Sequence, residues 1–235
     1  MNKKLLTFLS AGLLAMSTLM AQTIDDIINK HIEARGGLEK LKTLQSAVME
    51  GSMNQAGNDV IIKIYVVNNK AYKTEFSVMG QTGYSIITNT EGWSFSPFGG
   101  ATSPTPIPAE QVKESQYGLD MVGGFVDYKA KGNKVEYLGK ETIDGKECFK
   151  VKLTRPNGKI VTYFFDSNYY IARTIINGTV NGQEQEVTTD YSDYRKTPNG
   201  FLFAYRRILP QGEMIFTKIE VNTKIDDAVF KADGQ

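Results

Sequence analysis

From Gln45 onward the chain alternates residue types with a period of two, and any fold it adopts must satisfy that alternation. Ile62, Ile64 and Val66 interleave with Lys63, Tyr65 and Val67. Tyr72, Thr74, Phe76 and Val78 interleave with Lys73, Glu75 and Ser77, and Phe149, Val151 and Leu153 with Lys150, Lys152 and Thr154. Successive side chains of a strand point to opposite faces, so each run reads as a strand with one buried face and one mostly wet face. The runs are punctuated by Asn68-Asn69, Asp144-Gly145, Asn157-Gly158, Asn177-Gly178, Asn181-Gly182 and Asn199-Gly200. Such pairs supply the positive φ that two-residue hairpin turns need. About eleven strands can be counted in this way, and an antiparallel meander of that size must curl or close.

Two segments break the alternation. Residues 23–44 read as helix: Thr23 and Asp26 have capping-box spacing, and Ile24, Ile27, Ile28, His31 and Ile32 form one apolar face. Gly36-Gly37 ends that helix, and Leu38, Leu41 and Leu44 suggest one or two further turns. Between Trp93 and Asn133 the strand signal lapses in a stretch carrying Pro97, Pro104, Pro106 and Pro108. Pro108 is placed to open a second helix over 109–122, closed by Gly123-Gly124. A long connection with its own helix inside a meander reads as a lid.

The first residues point out of the cytoplasm. Lys3 and Lys4 precede an apolar run from Leu5 to Met20 that ends at Ala21. This predicts a cleaved secretory signal peptide over 1–21, too short to span a membrane, followed by a single domain over 22–235. No cysteine follows the apolar run, so no lipid anchor is expected. The remaining chain carries 25 basic against 26 acidic residues, a balance that excludes nucleic acid as a partner and gives no polybasic membrane patch. Cys148 is the only cysteine, so no internal disulfide is possible, and its apolar setting predicts a buried thiol.

The inventory for catalysis is short. One histidine, His31, lies on an apolar helix face, which excludes a multi-histidine zinc site. No nucleophile elbow, phosphate-binding loop or dinucleotide fingerprint is present. Asp166, Asp190 and Asp193 lack the spacing of a calcium loop. No catalytic residue, metal or cofactor is expected, and the chain does not read as an enzyme. Apolar surface is abundant instead, with 12 Tyr, 12 Phe and 1 Trp. Ile62, Ile64, Tyr72, Phe76, Phe149 and Val151 either fill a barrel core or, beneath a helical roof, line a cavity for an apolar ligand. Each buried methylene contributes about 0.8 kcal/mol, so a long acyl chain would gain on the order of 10 kcal/mol before ordering costs.

The order of pieces carries a resemblance. Ala34-Arg35-Gly36-Gly37-Leu38-Glu39-Lys40-Leu41 closes the first helix; Glu91-Gly92-Trp93 precedes the Pro-rich lid. Gly132 to Glu141, Tyr163-Phe164-Phe165-Asp166, Asp190 to Arg195, Asn199-Gly200-Phe201 and Ile219-Glu220-Val221-Asn222 follow. In this order the chain resembles the outer-membrane lipoprotein-sorting family, the LolA/LolB-like periplasmic carriers, over its whole length after the signal peptide. The resemblance implies a mainly β fold with helices, an incomplete, strongly curved antiparallel β-barrel capped by an N-terminal helix and a lid helix. It implies a soluble periplasmic carrier, without stable membrane insertion, for an acyl lipid or lipoprotein, handing over to an outer-membrane acceptor protein. Cavity-lining residues would be Ile62, Ile64, Tyr72, Phe76, Trp93, Phe149 and Val151, with Leu119, Met121, Val122 and Phe125 in the lid. Carriers of that family hold the lid with an arginine on the sheet; no arginine here matches that motif, and Arg35 and Arg173 are the candidates. The other arrangement, a filled barrel without ligand, would make the chain an envelope protein-protein interaction module.

Overall fold

The computed structural model describes residues 23–233 except 56 and 181–182; the predicted signal peptide and the Asn181-Gly182 turn lie outside the described residues. Helix α1 (Ile24–Ala34) begins with the capping box the sequence predicts. Asp26 N–H donates to Thr23 Oγ1 at 3.2 Å, and Thr23 N–H donates to Asp26 Oδ2 at 3.1 Å. At its far end Gly36 and Gly37 have φ of 118° and 89°. Their N–H groups donate back to Glu33 and Ile32 carbonyls, each at 2.9 Å, which is the paired bonding of a Schellman stop. A five-residue helix, α2 (Leu38–Lys42), follows and buries Leu41.

The strands fall into two meanders. The first holds β1 (Ser46–Gln55), β2 (Asn58–Val67), β3 (Ala71–Val78), β4 (Gln81–Thr88), β5 (Gly92–Phe95) and β6 (Thr105–Pro106). The second holds β7 (Lys134–Ile143), β8 (Lys146–Thr154), β9 (Ile160–Phe165), β10 (Ile171–Val180), β11 (Gln183–Lys196), β12 (Leu202–Leu209) and β13 (Gly212–Val221). Among the described residues they form one 13-stranded sheet in the order β6-β5-β4-β3-β2-β1-β13-β12-β11-β10-β9-β8-β7. The sheet is curled but not closed, since β6 and β7 do not pair. First strand and last strand meet at its centre, in antiparallel register from Ala47–Val221 to Asn54–Glu213. The count exceeds the expected eleven partly because β6 lies in the Pro-rich stretch; Pro106 has no N–H to donate, which suits it to an edge.

Residues 107–133 join the two outer edges of this sheet, so they must pass over one of its faces. That segment contains α3 (Ala109–Ser115) and a 3-10 turn, Gln116–Leu119. The helix is shorter than the expected 109–122 for a physical reason. Leu119 carbonyl accepts from Asn69 N–H at 2.8 Å, and Met121 N–H donates to Asn68 Oδ1 at 2.9 Å. Backbone groups that would continue the helix are bonded to the β2–β3 turn instead. Asn177-Gly178 likewise makes no turn: Asn177 pairs with Glu186 inside the β10–β11 ladder.

Two apolar clusters lie between the sheet and its cover. One joins Leu41, Leu44, Met49, Val66, Val126, Phe216 and Ile219. The other joins Ile27, Ile28, Phe125, Val151, Leu153 and Phe165. The outer face carries two more, one around Tyr84, Ile86 and Phe230, the other around Ile143, Cys148 and Phe164. Cys148 is buried, and that burial raises its thiol pKa.

Candidate functional site

Helix α1 and the crossing segment form one cover. Arg35, the C-cap of α1, donates from Nη1 to the Val122 carbonyl at 2.6 Å and from Nη2 to the Met121 carbonyl at 3.2 Å. Tyr128 donates to Asp25 Oδ1 at 2.9 Å at the other end of the helix. The crossing segment is braced further by Lys131, whose Nζ reaches Asp120 Oδ2 at 2.6 Å and the Gly123 carbonyl at 3.0 Å. Of the two arginine candidates, Arg35 therefore grips the lid, though from the roof helix and not from the sheet. Arg173 is engaged elsewhere, with Asp190 and Asp144.

Beneath this cover, over β9–β12, lies a pocket of about 350 Å³. Its roof is His31, Arg35 and Gly123 to Phe125; its floor includes Val161, Tyr163, Thr174, Ile176, Tyr191, Tyr194, Ala204 and Arg207. Tyr191 and Tyr194 are three residues apart and strict alternation would separate them. Asp193, at φ 53°, sits between them in the left-handed region and breaks the alternation, so both reach the pocket. The hydroxyls of Thr174 and Tyr191 approach to 3.3 Å, and Tyr194 donates to the Ile171 carbonyl at 2.8 Å. Burial raises the pKa of Tyr163 and Tyr194, so both remain neutral phenols at ordinary pH.

His31 is buried against Phe165 and Phe125, with ring centroids at 4.8 and 5.8 Å. Burial, helped by the charge of Arg35, pushes its pKa down to about 3. The ring is therefore neutral, with Nδ1–H donating to the Tyr169 carbonyl at 2.8 Å. A second recess, of about 460 Å³, flanks the lid and is lined by polar groups including Lys113, Gln116, Asp120, Lys131 and Asn133. Gly124 and Arg155 belong to the walls of both.

The residues singled out from the sequence are distributed as follows. Ile62, Ile64, Tyr72 and Phe76 share one face of β2 and β3, through the Ile62–Phe76 and Val66–Tyr72 pairs. Ile64 and Tyr72 pack against the first cluster, and Phe76 meets Phe98 at 5.9 Å. Phe149 and Val151 belong to the second cluster, with Phe125. Trp93 stands on the opposite face: it pairs with Ile86 and packs in the cluster around Phe230. Of the lid residues, Leu119 and Phe125 are buried, while Met121 and Val122 offer their carbonyls to Arg35. Phe125 is in the pocket wall; none of the seven sheet residues is. Arg155, Arg207 and the pocket tyrosines lie outside the cavity and lid sets expected from the sequence, although Tyr163, Tyr191 and Tyr194 fall within the motifs that carry the resemblance. One signal for Arg207 was present, because adjacent arginines at 206 and 207 in a strand must point to opposite faces.

This architecture is shared with solved structures of LolA superfamily proteins. It is similar to a LolA superfamily protein from Nitrosomonas europaea, with a TM-score of 0.55 and 14% identity over 90% of this chain and 98% of that one. It is also similar to a DUF1329 family protein from Desulfovibrio piger, with a TM-score of 0.55 and 12% identity over 90% and 98%. A domain from Vibrio parahaemolyticus named for outer-membrane lipoprotein sorting matches with a TM-score of 0.51 and 12% identity over 87% and 94%. At these identities the likeness establishes the fold. No family model matches the sequence, and no curated protein matches it. Among the described residues no helix is long and apolar enough to cross a membrane.

Proposed function

We infer that this chain is a non-catalytic periplasmic carrier that binds a lipid, or the acyl chains of a lipoprotein, between its curved sheet and its roof. The observation that carries the reading is the tethered cover: a separate segment lies over apolar sheet surface, is held by Arg35 through two backbone carbonyls, and has a pocket beneath it. The pocket and the adjoining recess each fall within the roughly 300–1,000 Å³ of small-molecule sites. Acyl chains would lie along Ile62, Ile64, Tyr72, Phe76, Phe149 and Val151 as Leu119, Met121, Val122 and Phe125 lift away. Trp93, packed on the outer face, falls outside this path. Lid and acyl chain then exchange one apolar contact for another, each contributing about 25 cal/mol per Å². The net free energy is small, which suits reversible loading without nucleotide.

The test is native mass spectrometry of the exported protein purified without detergent, with organic extraction of any adduct. Discrete adducts that extract as acyl lipids are the expected result. A bare mass that stays bare after incubation with lipids and acylated peptides would replace the carrier with a filled barrel acting through protein contacts, for which a co-purifying protein is the expected sign.

A further inference from the structure

The chain has six arginines, and the fold sorts them into two sets. Arg173, Arg195 and Arg206 each pair with a carboxylate: Asp190, Asp193 and Glu213. Among the described residues Arg35, Arg155 and Arg207 have no carboxylate within ion-pair distance, and all three line the same pocket. Among the described residues no Asp or Glu contributes to its wall. The carboxylate that acts on Arg35 through space, Asp120, is itself held by Lys131 at 2.6 Å.

What compensates these cations is weak. Arg207 lies over the Phe216 and Tyr191 rings at 4.9 and 5.9 Å, and its Nε is buried without a hydrogen-bond partner. Arg155 lies over the Tyr117 ring at 4.3 Å, and its charge acts on the neighbouring Tyr163 hydroxyl. Arg35 spends its donors on lid carbonyls. A guanidinium stays charged in a protein and offers donors in a planar fork that matches carboxylate and phosphate oxygens. All three are partly withdrawn from water; cations so placed without counter-charge destabilise a fold, and an incoming anion relieves that cost. Nothing in the apolar path described above requires positive charge.

We propose that this pocket is an anion subsite, in which Arg207 and Arg155 receive the carboxylate or phosphate head of the carried amphiphile while its tail lies under the roof. The assignment of a tail rests on the carrier reading; that of the anion site rests on the arginines alone. The ligands favoured are therefore acidic amphiphiles, and neutral ones of equal chain length are discriminated against.

The experiment is titration of the folded protein with oleate, with oleyl alcohol and with inorganic phosphate, the first two by displacement of a fluorescent acyl reporter and the third by thermal shift. Oleate should bind at least about tenfold more tightly than oleyl alcohol. Arg207→Met and Arg155→Met should each erase most of that preference, while Arg173→Met, on the outer face, keeps it. Circular dichroism melting checks that the variants are folded; Arg207→Met, which removes a buried unpaired charge, should melt no lower than the parent. Equal affinity for oleate and oleyl alcohol without a phosphate response overturns the anion site and leaves the carrier standing. A phosphate response that Arg207→Met abolishes, with neither amphiphile bound, keeps the anion site, assigns it to a free anion and removes the carrier. No response to any probe overturns both.

Discussion

His31 shows what a single buried group does to a fold of this kind. Neutral in the folded state down to about pH 3, it has an ordinary pKa near 6.5 once the chain unfolds. Above that value neither state takes a proton and the residue adds no pH dependence. Below it the unfolded chain binds a proton that the folded chain refuses, so stability falls as pH drops, by up to about 1.4 kcal/mol per pH unit, and levels off near the folded value. We expect urea denaturation to show this loss between pH 6 and 4 in the parent, and a His31→Leu variant to show a shallower slope by about one proton. Equal slopes would mean that the ring is charged or exposed. The sequence placed His31 on a packed helix face and that is where it lies; it could not place Arg207 beneath the same roof. An inward arginine follows from alternation, but its freedom from a carboxylate depends on strands that are distant in the chain.

At the scale of elements, local chemistry was legible and remote bonding was not. Thr23, Asp26 and Gly36-Gly37 set both ends of α1 with partners at most a few residues away, so reading them needs no tertiary knowledge. The Asp144-Gly145 turn, with φ of 48° and 77°, is likewise self-contained. The lid helix is shorter than its pattern predicts because Asn68 and Asn69, far back in the chain, take its backbone groups. Asn177-Gly178 has the composition of a turn but lies in a strand, because its partner strand supplies the ladder. Arg35 is the hinge pin of this level. Its two bonds to lid carbonyls are charge-assisted, worth about 1.5–3 kcal/mol each before the cost of burying the cation. Arg35→Met should speed amide exchange across residues 119–126 by about tenfold to a hundredfold while leaving β1–β3 amides unchanged. Exchange rates that do not move would show that apolar packing alone holds the lid.

At the scale of the whole molecule, everything turns on the seam between β1 and β13. The register shifts between Glu50 and Gly51, and a Cβ at Gly51 would stand 2.2 Å from the Ile215 carbonyl oxygen. Gly51→Val should therefore open the seam and cost upwards of about 3 kcal/mol, read as a lowered denaturation midpoint, whereas the same change at Gly99, which has open space around it, should be nearly silent. Equal midpoints for the two variants would contradict the close approach. The seam also dictates a timetable. Gln45 N–H bonds Asn222 Oδ1 across 177 residues, so a chain emerging from its amino end offers β1 long before β13 exists to meet it. Until then the middle of the future sheet is an open edge, the part of a β protein most prone to pair with a neighbour. Assembly of the central seam must wait for the last strand, and a nascent chain of this design needs shelter for as long as its synthesis takes.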